Sequence, residues 1–474
     1  MPQNRIPYFC QGLFVGPSPS SGFHFIHYTG LLNNNVTGLV ENHNLVQPIN
    51  RVQNVSFSFS PNRTDIKHLG KRALVAYPNV NSPNIRLDFE YLLNGLANDA
   101  RIGLNVNYAQ YHYPNTGGTP KYASNFEVNL LSGLMGRQLS RETSDPFYPS
   151  LRDNRNIFLV RSNETDQLFK RGKEKITEVD FTRNGADVES TGYQILAFGN
   201  SYLESYRTQA AVNSFPVSNA SWSCENVAFY LSGSGCNIPA VNLQTRQIVN
   251  QNKFVIPITT NEGGPYILHP GDMILDIASY GDSLSGLGIN FNNINITNYQ
   301  ISMNFNREPL GSIGYKCPLD RQINFPVFVD LGFGMTVGDT TSGSFIDLLN
   351  IDSGYNITIK LRNPLDCSPF VTSTGQPRQS GPVFSGQGHT AIRYDFKDAK
   401  FIGANYNTAI GMNKTASLNF RGEIDPDHID QTKGFWISGL LNIECLEDKV
   451  LDDNGFAIVD QDMVAVVGNL RPLY

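Results

Sequence analysis

The sequence predicts a mainly β protein built from two similar domains in tandem. Three observations support this: a turn-rich composition, segments that alternate apolar and polar residues, and a series of features that occurs twice in the same order. The 474 residues include 42 Gly and 26 Pro, and 16% are charged, against roughly 25% in an average soluble domain. This composition is typical of short strands joined by turns, with extensive surface that does not contact bulk water.

The first repeated feature is an eight-residue segment together with the strand before it. RTDIKHLG (63–70) and REPLGSIG (307–314) each have an arginine, an aliphatic residue three positions later, and an aliphatic–glycine pair three positions after that. The preceding segments, VQNVSFSF (52–59) and NYQISMNF (298–305), alternate apolar and polar residues. Because successive side chains of a strand point to opposite faces, this pattern predicts a half-buried strand in each copy.

A second alternating strand follows each octapeptide. The two segments are IRLDFEYL (85–92) and VFVDLGF (327–333), and both have an aspartate on the polar face, Asp88 and Asp330. These two strands are predicted to bury one apolar face each.

A short helix and a third strand come next in each copy. NFEVNLLSG (125–133) and SFIDLLNIDSG (344–354) begin with a residue able to cap a helix and contain a Leu pair, which predicts a short helix. The strands that follow are NIFLVRSNETD (156–166) and NITIKLRNPLD (356–366).

The last shared feature is a β-hairpin. SYRTQAAVN (205–213) matches NYNTAIGMN (405–413), with Tyr, Thr and Asn in register, and NASWSCE (219–225) then matches TASLNFR (415–421). The second strand of each hairpin is predicted to direct its apolar residues inward, namely Trp222, Cys224, Leu418 and Phe420. Five features in one order predict an internal duplication.

The repeat divides the chain into five parts. We expect a loop-rich N-terminal arm (1–45), a first domain (46–235), a connector (236–285), a second domain (286–440) and a strand-rich C-terminal tail (441–474). Long insertions in the first copy, at 134–156 and 167–195, are predicted to be loops. Loops of that length in compact domains are usually functional or become ordered against a partner.

Charge and composition argue against several classes of function. The formal net charge is −6 and no basic block occurs, so tight phosphate binding is disfavoured. The sequence has no secretory signal pattern and no apolar run long enough for a membrane helix, so we expect a soluble protein made in a cytosol. It has no phosphate loop, dinucleotide fingerprint or zinc-finger spacing, so no cofactor is expected.

One enzymatic pattern is present. Gly-Asp-Ser-Leu follows the apolar segment MILDIASY (273–280), as in the esterases named for that tetrapeptide, and would make Ser283 a nucleophile with His428 as base and Asp425 as orienting residue. However, Ser283 is followed by a glycine- and asparagine-rich segment, where that chemistry requires a helix. The prediction is that the chain is not an enzyme, with an esterase as a distant alternative.

Metal and disulfide patterns are weak. His24 and His27 have no further Cys or His partners for a tetrahedral site. The acidic segment with Asp425, Asp427 and Asp430 lacks the glycine and the terminal glutamate of an EF-hand, so a solvated turn is favoured over a Ca²⁺ site. Six cysteines occur without a CxxC pair, and a Cys224–Cys236 bridge is conceivable but has no support.

The repeated features resemble the major tail tube proteins of long-tailed bacteriophages. The resemblance rests on the two hairpin strands with an intervening short helix, and on a YxTxxxxN…AS hairpin that occurs twice and is similar to an S-Y-x-x-x…AS stretch of phage tail proteins. It covers about 50–225 and 296–421. The resemblance implies a tail-tube-like β-sandwich or barrel with a short packed α-helix per domain, with neighbouring sheets joined into a continuous inner barrel and rings stacked into a tube.

The same resemblance implies partners and a location. A tandem chain would form trimeric rings with pseudo-sixfold symmetry in a virion tail, assembled in the host cytoplasm with other tail proteins, and phage DNA would pass through without specific binding. Asp88, Glu90 and Asp330 are candidates for the lumen lining, which we expect to be acidic and neutral polar, so that it repels phosphate. A baseplate, capsid-associated or receptor- or glycan-binding virion protein is the alternative.

Overall fold

Antiparallel strands make up nearly all the regular structure in the computed structural model of this chain. The residues that the structure describes are 11–17, 47–79, 82–104, 106–109, 130–131, 134, 154–162, 193–230, 236–237, 253–254, 268, 273–279, 295–311, 313, 318, 320–336, 354–362, 390–407, 415–424 and 433–440. Within these ranges the fold is mainly β, as the sequence predicts.

Among the described residues, those up to Phe254 form ten strands and one helix. They are β1 (Gln11–Pro17), β2 (Gln47–Ile49), β3 (Val52–Ser60), β4 (Asn84–Leu92), α1 (Ala97–Arg101), β5 (Asn107–Ala109), β6 (Arg155–Ser162), β7 (Tyr193–Ala211), β8 (Val217–Tyr230), β9 (Cys236–Asn237) and β10 (Lys253–Phe254).

The described residues from Met273 onward form nine strands. They are β11 (Met273–Ser279), β12 (Asn295–Asn304), β13 (Arg307–Leu310), β14 (Asp320–Ile323), β15 (Val327–Thr336), β16 (Tyr355–Arg362), β17 (Thr390–Asn407), β18 (Thr415–Ile424) and β19 (Gly434–Leu440).

Two groups of strands have the same hydrogen-bonded order. The first group, here called the first repeat, runs β3–β4–β8–β7–β6–β1, and the second repeat runs β12–β15–β18–β17–β16–β11. Every neighbouring pair within these groups is antiparallel. β7 also pairs with β12 and thereby joins the two groups into one sheet. β1 and β11, which the sequence division places in the arm and the connector, are the equivalent last strands of these two groups, and β1 also pairs with β2.

The repeated octapeptides lie at equivalent positions in two hairpins. In the loop between β3 and β4, Arg63 lies opposite Asn79, and in the hairpin β13–β14, Arg307 lies opposite Ile323. The flanking strands keep the same relationship, because Phe57 lies opposite Leu87 and Ile301 opposite Leu331. The similarity between 63–70 and 307–314 therefore corresponds to one structural unit that occurs twice.

Two bulges show that part of the sequence alignment is shifted by two residues. β7 has a bulge directly after Leu203, which lies opposite Trp222, and β17 has one directly after Phe401, which lies opposite Phe420. Trp222 is thus equivalent to Phe420, whereas the sequence match aligned it with Leu418. Since the side chains of a strand alternate with period two, a shift of two residues leaves every inward residue inward, and only the bulge distinguishes the two registers.

The apolar faces of the alternating strands form the core. The predicted inward residues Trp222, Cys224, Leu418 and Phe420 are all buried, which confirms their assignment. The same is true of the apolar positions of β4 and β15, which are Ile85, Leu87, Phe89, Tyr91, Val327, Val329, Leu331 and Phe333.

The two segments predicted to be helices lie almost entirely outside the described residues. In the segment 125–133, Leu130 and Leu131 form a turn and the other residues lie outside the described ranges, as does 344–353. The described part of the chain contains one helix, α1, which the sequence did not predict. Five residues are too few to produce a helical repeat of apolar positions.

Two long strands change hydrogen-bonding partners along their length. The first part of β7 pairs with β6 and its last part with β12, while the first part of β17 pairs with β16 and β19 and its last part with β18 alone. In the second repeat β18 and β19 together take the place of the single strand β8. The acidic segment with Asp425, Asp427 and Asp430 falls between β18 and β19, outside the described residues.

Candidate functional site

One face of the joined sheet is polar across its whole width. The strands β3–β4–β8–β7–β12–β15–β18–β17 form a continuous series, and one line of directly opposed residues crosses all of them without an apolar member. This polar row consists of Asn54, Glu90, Asn219, Arg207, Ser302, Asp330, Arg421 and Lys400.

The other face of the same strands is the protein core. The residues next to the row along each strand, such as Phe89, Met303 and Leu331, are buried. A sheet with one buried and one open face is stable in an antiparallel arrangement, so the polar row lies on an accessible surface that spans both repeats.

The three residues predicted to line a lumen all lie on this polar face. Glu90 and Asp330 are members of the polar row, and Asp88 lies two residues before Glu90 on β4, so all three side chains point the same way. All three are partly exposed.

The face is not acidic, contrary to the expectation. Arg86 Nε donates to Asp88 at 3.2 Å, and Arg421 Nε donates to Asp330 at 2.7 Å. The bond to Asp330 raises the pKa of Arg421. The polar row also contains Arg207 and Lys400, so its carboxylates are balanced by cations on the same surface.

The cations of the polar row are engaged by neighbouring acceptors. Arg207 donates to Gln300 at 2.6 Å and to Gln209 at 2.7 Å, and Lys400 Nζ lies 3.1 Å from Asp398 Oδ1. With Arg421 bonded to Asp330, each cation of the row is held by an acceptor on the protein.

The continuous sheet ends in two open edges. Within the described residues, β3 pairs with β4 alone, and Lys400–Asn407 of β17 pair with β18 alone. At the β3 edge Phe59 is 57% exposed, while Met303, the equivalent residue of β12, is fully buried because β7 covers that strand. The first repeat therefore lacks a neighbour that the second repeat has.

Both repeated hairpins leave the sheet at the same end. β3 and β12 run in the same direction, because four successive antiparallel pairings separate them. Each hairpin carries an aliphatic residue at its tip that is entirely exposed, Leu69 (99%) and Ile313 (101%). Both repeats therefore present an exposed aliphatic side chain at the same end of the sheet.

The opposite end of the sheet has a shallow groove. It has a volume of about 670 Å³ and lies where β4, β7, β8 and β12 meet their turns. Apolar atoms of Leu92, Phe215 and Val217 contribute to its lining beside polar groups of Glu90 and Gln300. Hairpin tips and groove thus lie at opposite ends of one sheet.

A buried carboxylate joins the roots of the two hairpins. Ser82 Oγ donates to Glu225 Oε2 at 3.0 Å, and Arg321 Nε donates to Glu225 Oε1 at 2.5 Å. Arg321 also donates to Ser223 Oγ at 2.8 Å. The Glu225 side chain is 1% exposed, so this network fixes both hairpins to β8.

A second buried carboxylate lies beneath the junction of β7 and β12. Asp99 Oδ1 accepts hydrogen bonds from Tyr91 at 2.9 Å and Tyr206 at 2.6 Å, while its Oδ2 has no partner among the described residues. Burial raises the pKa of Asp99 to about 6. Neither Asp99 nor Glu225 was predicted from the sequence to be a buried hydrogen-bonded carboxylate. A carboxylate in an otherwise apolar segment, as in WSCENVAF, is the signal that points to a buried partner.

The residues of the esterase-like and histidine patterns lie outside the described part of the chain. Ser283, Asp425, His428, His24 and His27 all lie outside the described residues. Among described side chains no three His, Cys, Asp or Glu residues are grouped to hold a metal ion. Cys224 is a buried free thiol, so the conceivable bridge to Cys236 is not formed. The helix within the described ranges is too short and too polar to cross a membrane.

No protein-family model and no curated protein matches this sequence.

Proposed function

We propose that this chain is a structural protein of a bacteriophage tail, which assembles edge to edge into rings that stack into a DNA-conducting tube. The observation that supports this most strongly is the continuous sheet through both repeats, polar on one face and ending in two open edges. In the proposed ring the polar face lines the lumen, and three copies give six similar domains around it.

The joint between β7 and β12 supports edge-to-edge assembly. It connects the last strand of one four-stranded unit to the first strand of the next, so each chain already contains one joint of the kind that a ring requires. An open edge otherwise presents unpaired N–H and C=O groups and is a site for pairing with another chain. Repeating the joint between copies removes both edges.

The two ends of the sheet support stacking. Leu69 and Ile313 extend from one end, and the groove lined by Leu92, Phe215 and Val217 lies at the other. A head-to-tail contact between two different surfaces does not close on itself and produces an open stack. Burial of the aliphatic tips in the next ring would provide the favourable free energy.

The hydrogen bonds made by the cations of the polar row support passage of DNA without binding. Non-specific DNA affinity comes from Lys and Arg side chains that neutralise phosphates and release counterions. In the polar row Arg421 is bonded to Asp330, and Arg207 to Gln300. Cations held by protein acceptors are less available to phosphate, so DNA would slide along this face.

Electron microscopy of the purified protein at rising concentration tests this proposal. We expect hollow tubes with a regular axial repeat and rings of threefold or pseudo-sixfold symmetry. Phe59→Lys should prevent ring formation, because it places a charge at an edge position whose equivalent, Met303, is fully buried. Asn54→Lys is the matched control, since it adds the same charge to the polar face of the same strand.

Discrete particles at every concentration would overturn the tube proposal. They would favour a baseplate or receptor-binding component of the virion, and binding to a glycan array would then distinguish these two.

A further inference from the structure

The register of β12 on β7 provides a template for the contact between two copies. Ser302 lies opposite Arg207, and Asn304 opposite Ser205. The amide of Phe305 donates to the carbonyl of Glu204 at 2.8 Å. Because hydrogen-bonded and non-hydrogen-bonded pairs alternate along antiparallel strands, Ser302 and Arg207 form a non-hydrogen-bonded pair.

The strands at the open edges are structurally equivalent to those at this joint. Phe57 lies opposite Leu87 and Ile301 lies opposite the equivalent Leu331, so Phe57 is equivalent to Ile301. The next residues along the two strands, Ser58 and Ser302, are therefore also equivalent. The bulges make Leu203 equivalent to Phe401. Four positions further along each strand, Arg207 is therefore equivalent to Asn405. The template thus assigns a partner position to each edge residue.

We propose that β3 of one copy pairs antiparallel with β17 of a second copy, with Ser58 opposite Asn405 as a non-hydrogen-bonded pair. In this register Phe59 lies opposite Ala404, as Met303 lies opposite Tyr206 within the chain. At the proposed contact the large Phe59 thus faces the small Ala404, whereas at the internal joint Met303 faces the large Tyr206. The inference rests on the proposed ring and specifies its intermolecular register.

The burial difference between equivalent residues supports a second copy as the occupant. Ile301 and Met303 are fully buried by the internal joint, whereas Phe57 is half-buried and Phe59 is 57% exposed. The surface left open on β3 thus corresponds to the surface that β7 covers on β12. The strand equivalent to β7 is β17, and its matching segment, Lys400–Asn407, is the other open edge.

Paired cysteine substitutions test the register. Ser58 and Asn405 are exposed on the polar face, so replacing both by Cys should leave the fold intact. A non-hydrogen-bonded pair has Cα atoms about 4.5 Å apart, within the range of about 4.4–6.8 Å that a disulfide requires. Ser56→Cys with Asn405→Cys is the matched control, because that diagonal pair would be about 7–8 Å apart.

The bond must form between copies. Within one chain β3 and β17 are separated by the width of the sheet, roughly 30 Å at the usual strand spacing. We expect covalent multimers of the Ser58/Asn405 variant on mild oxidation of assembled protein, with the linked peptides identified by mass spectrometry, and several-fold less product from the control.

The outcomes separate this inference from the proposed function. Rings that form but cross-link better through position 56 than 58, or through neither, overturn the register and leave the ring standing. Protein that stays monomeric at all concentrations overturns both.

Discussion

Phe89 stacks on Trp222 with ring centroids 6.4 Å apart and planes inclined by 17°. The equivalent residues of the second repeat, Phe333 and Phe420, form the same stack at 5.6 Å and 12°. Each repeat thus has one stacked aromatic pair at the same place in its core. Where the first repeat has Trp222, the second has the phenylalanine Phe420 in a similar stack.

This pair predicts a graded response to mutation at position 222. Trp222→Phe should cost about 1 kcal/mol of unfolding free energy, because it recreates the second repeat's pair, whereas Trp222→Ala should cost about 3–5 kcal/mol through lost burial and a cavity. Urea unfolding followed by circular dichroism measures both. Equal losses for the two variants would contradict the equivalence of the two stacks.

The network at the hairpin roots predicts that the two glutamates near Arg321 contribute unequally to the free energy of unfolding. Glu225→Ala should destabilise the protein by about 3–5 kcal/mol, because it leaves Arg321, only 18% exposed, without its buried partner. Glu204 is the matched control, since it is 39% exposed and 3.8 Å from the same guanidinium. Glu204→Ala should cost less than about 1 kcal/mol, and thermal unfolding compares the two. Similar losses would show that Glu225 does not hold the hairpins.

Asp99 predicts a stability that increases on mild acidification. Burial raises its pKa from 3.8 to about 6, so the folded state holds the proton more tightly than the unfolded state. The resulting contribution is fully present below pH 3.8 and is lost as the pH rises to about 6. It amounts to a difference on the order of 3 kcal/mol.

The matched variant for this effect is Asp99→Asn. An asparagine oxygen can still accept the hydroxyl bonds of Tyr91 and Tyr206, but it does not titrate. Urea unfolding between pH 4 and 7 should show the Asp99 contribution removed in Asp99→Asn and kept in Asp88→Asn, whose side chain lies on the open face. An unchanged pH profile in Asp99→Asn would contradict this assignment.

The carboxylates of the polar row predict that their replacement by lysine would make the tubes bind DNA. Glu90→Lys with Asp330→Lys removes two carboxylates of the polar row and releases Arg421 from its partner. Tubes of this variant should retain duplex DNA in co-sedimentation, and the retention should fall steeply with salt. Asn54→Gln with Ser302→Thr, in the same row, is the neutral control. Loss of tubes in the charged variant would mean that this face does not line the lumen.

The sequence predicted the strand class and the buried faces because alternation with period two is visible in the residues themselves. It did not predict the register, since the sequence match aligned Trp222 with Leu418, whereas the strand pairings make Trp222 equivalent to Phe420. The bulges after Leu203 and Phe401 have no distinctive sequence signal. The position of these bulges was therefore needed to establish equivalence.

The candidate site was only partly predictable for a related reason. Asp88, Glu90 and Asp330 were placed on one polar face by alternation. Their ion pairs were not, because Arg421 comes from a strand 91 residues away from Asp330 in sequence. Cross-strand partners of this kind depend on strand order, which the sequence pattern does not contain.

The tips of the two repeated hairpins carry equivalent exposed aliphatic residues, Leu69 and Ile313, which can be altered singly or together. Leu69→Ser with Ile313→Ser should leave rings intact and shorten the tubes, because both aliphatic tips lie beyond the sheet that forms the ring. The length distribution in negative-stain micrographs measures this. Lys67→Ser, in the same first hairpin, is the control for a change of an exposed residue. Each single variant should shorten tubes less than the double variant, because one repeat still offers its tip to the next ring. Tubes of normal length from the double variant would show that stacking uses a different surface, while loss of rings would place the tips in the lateral contact.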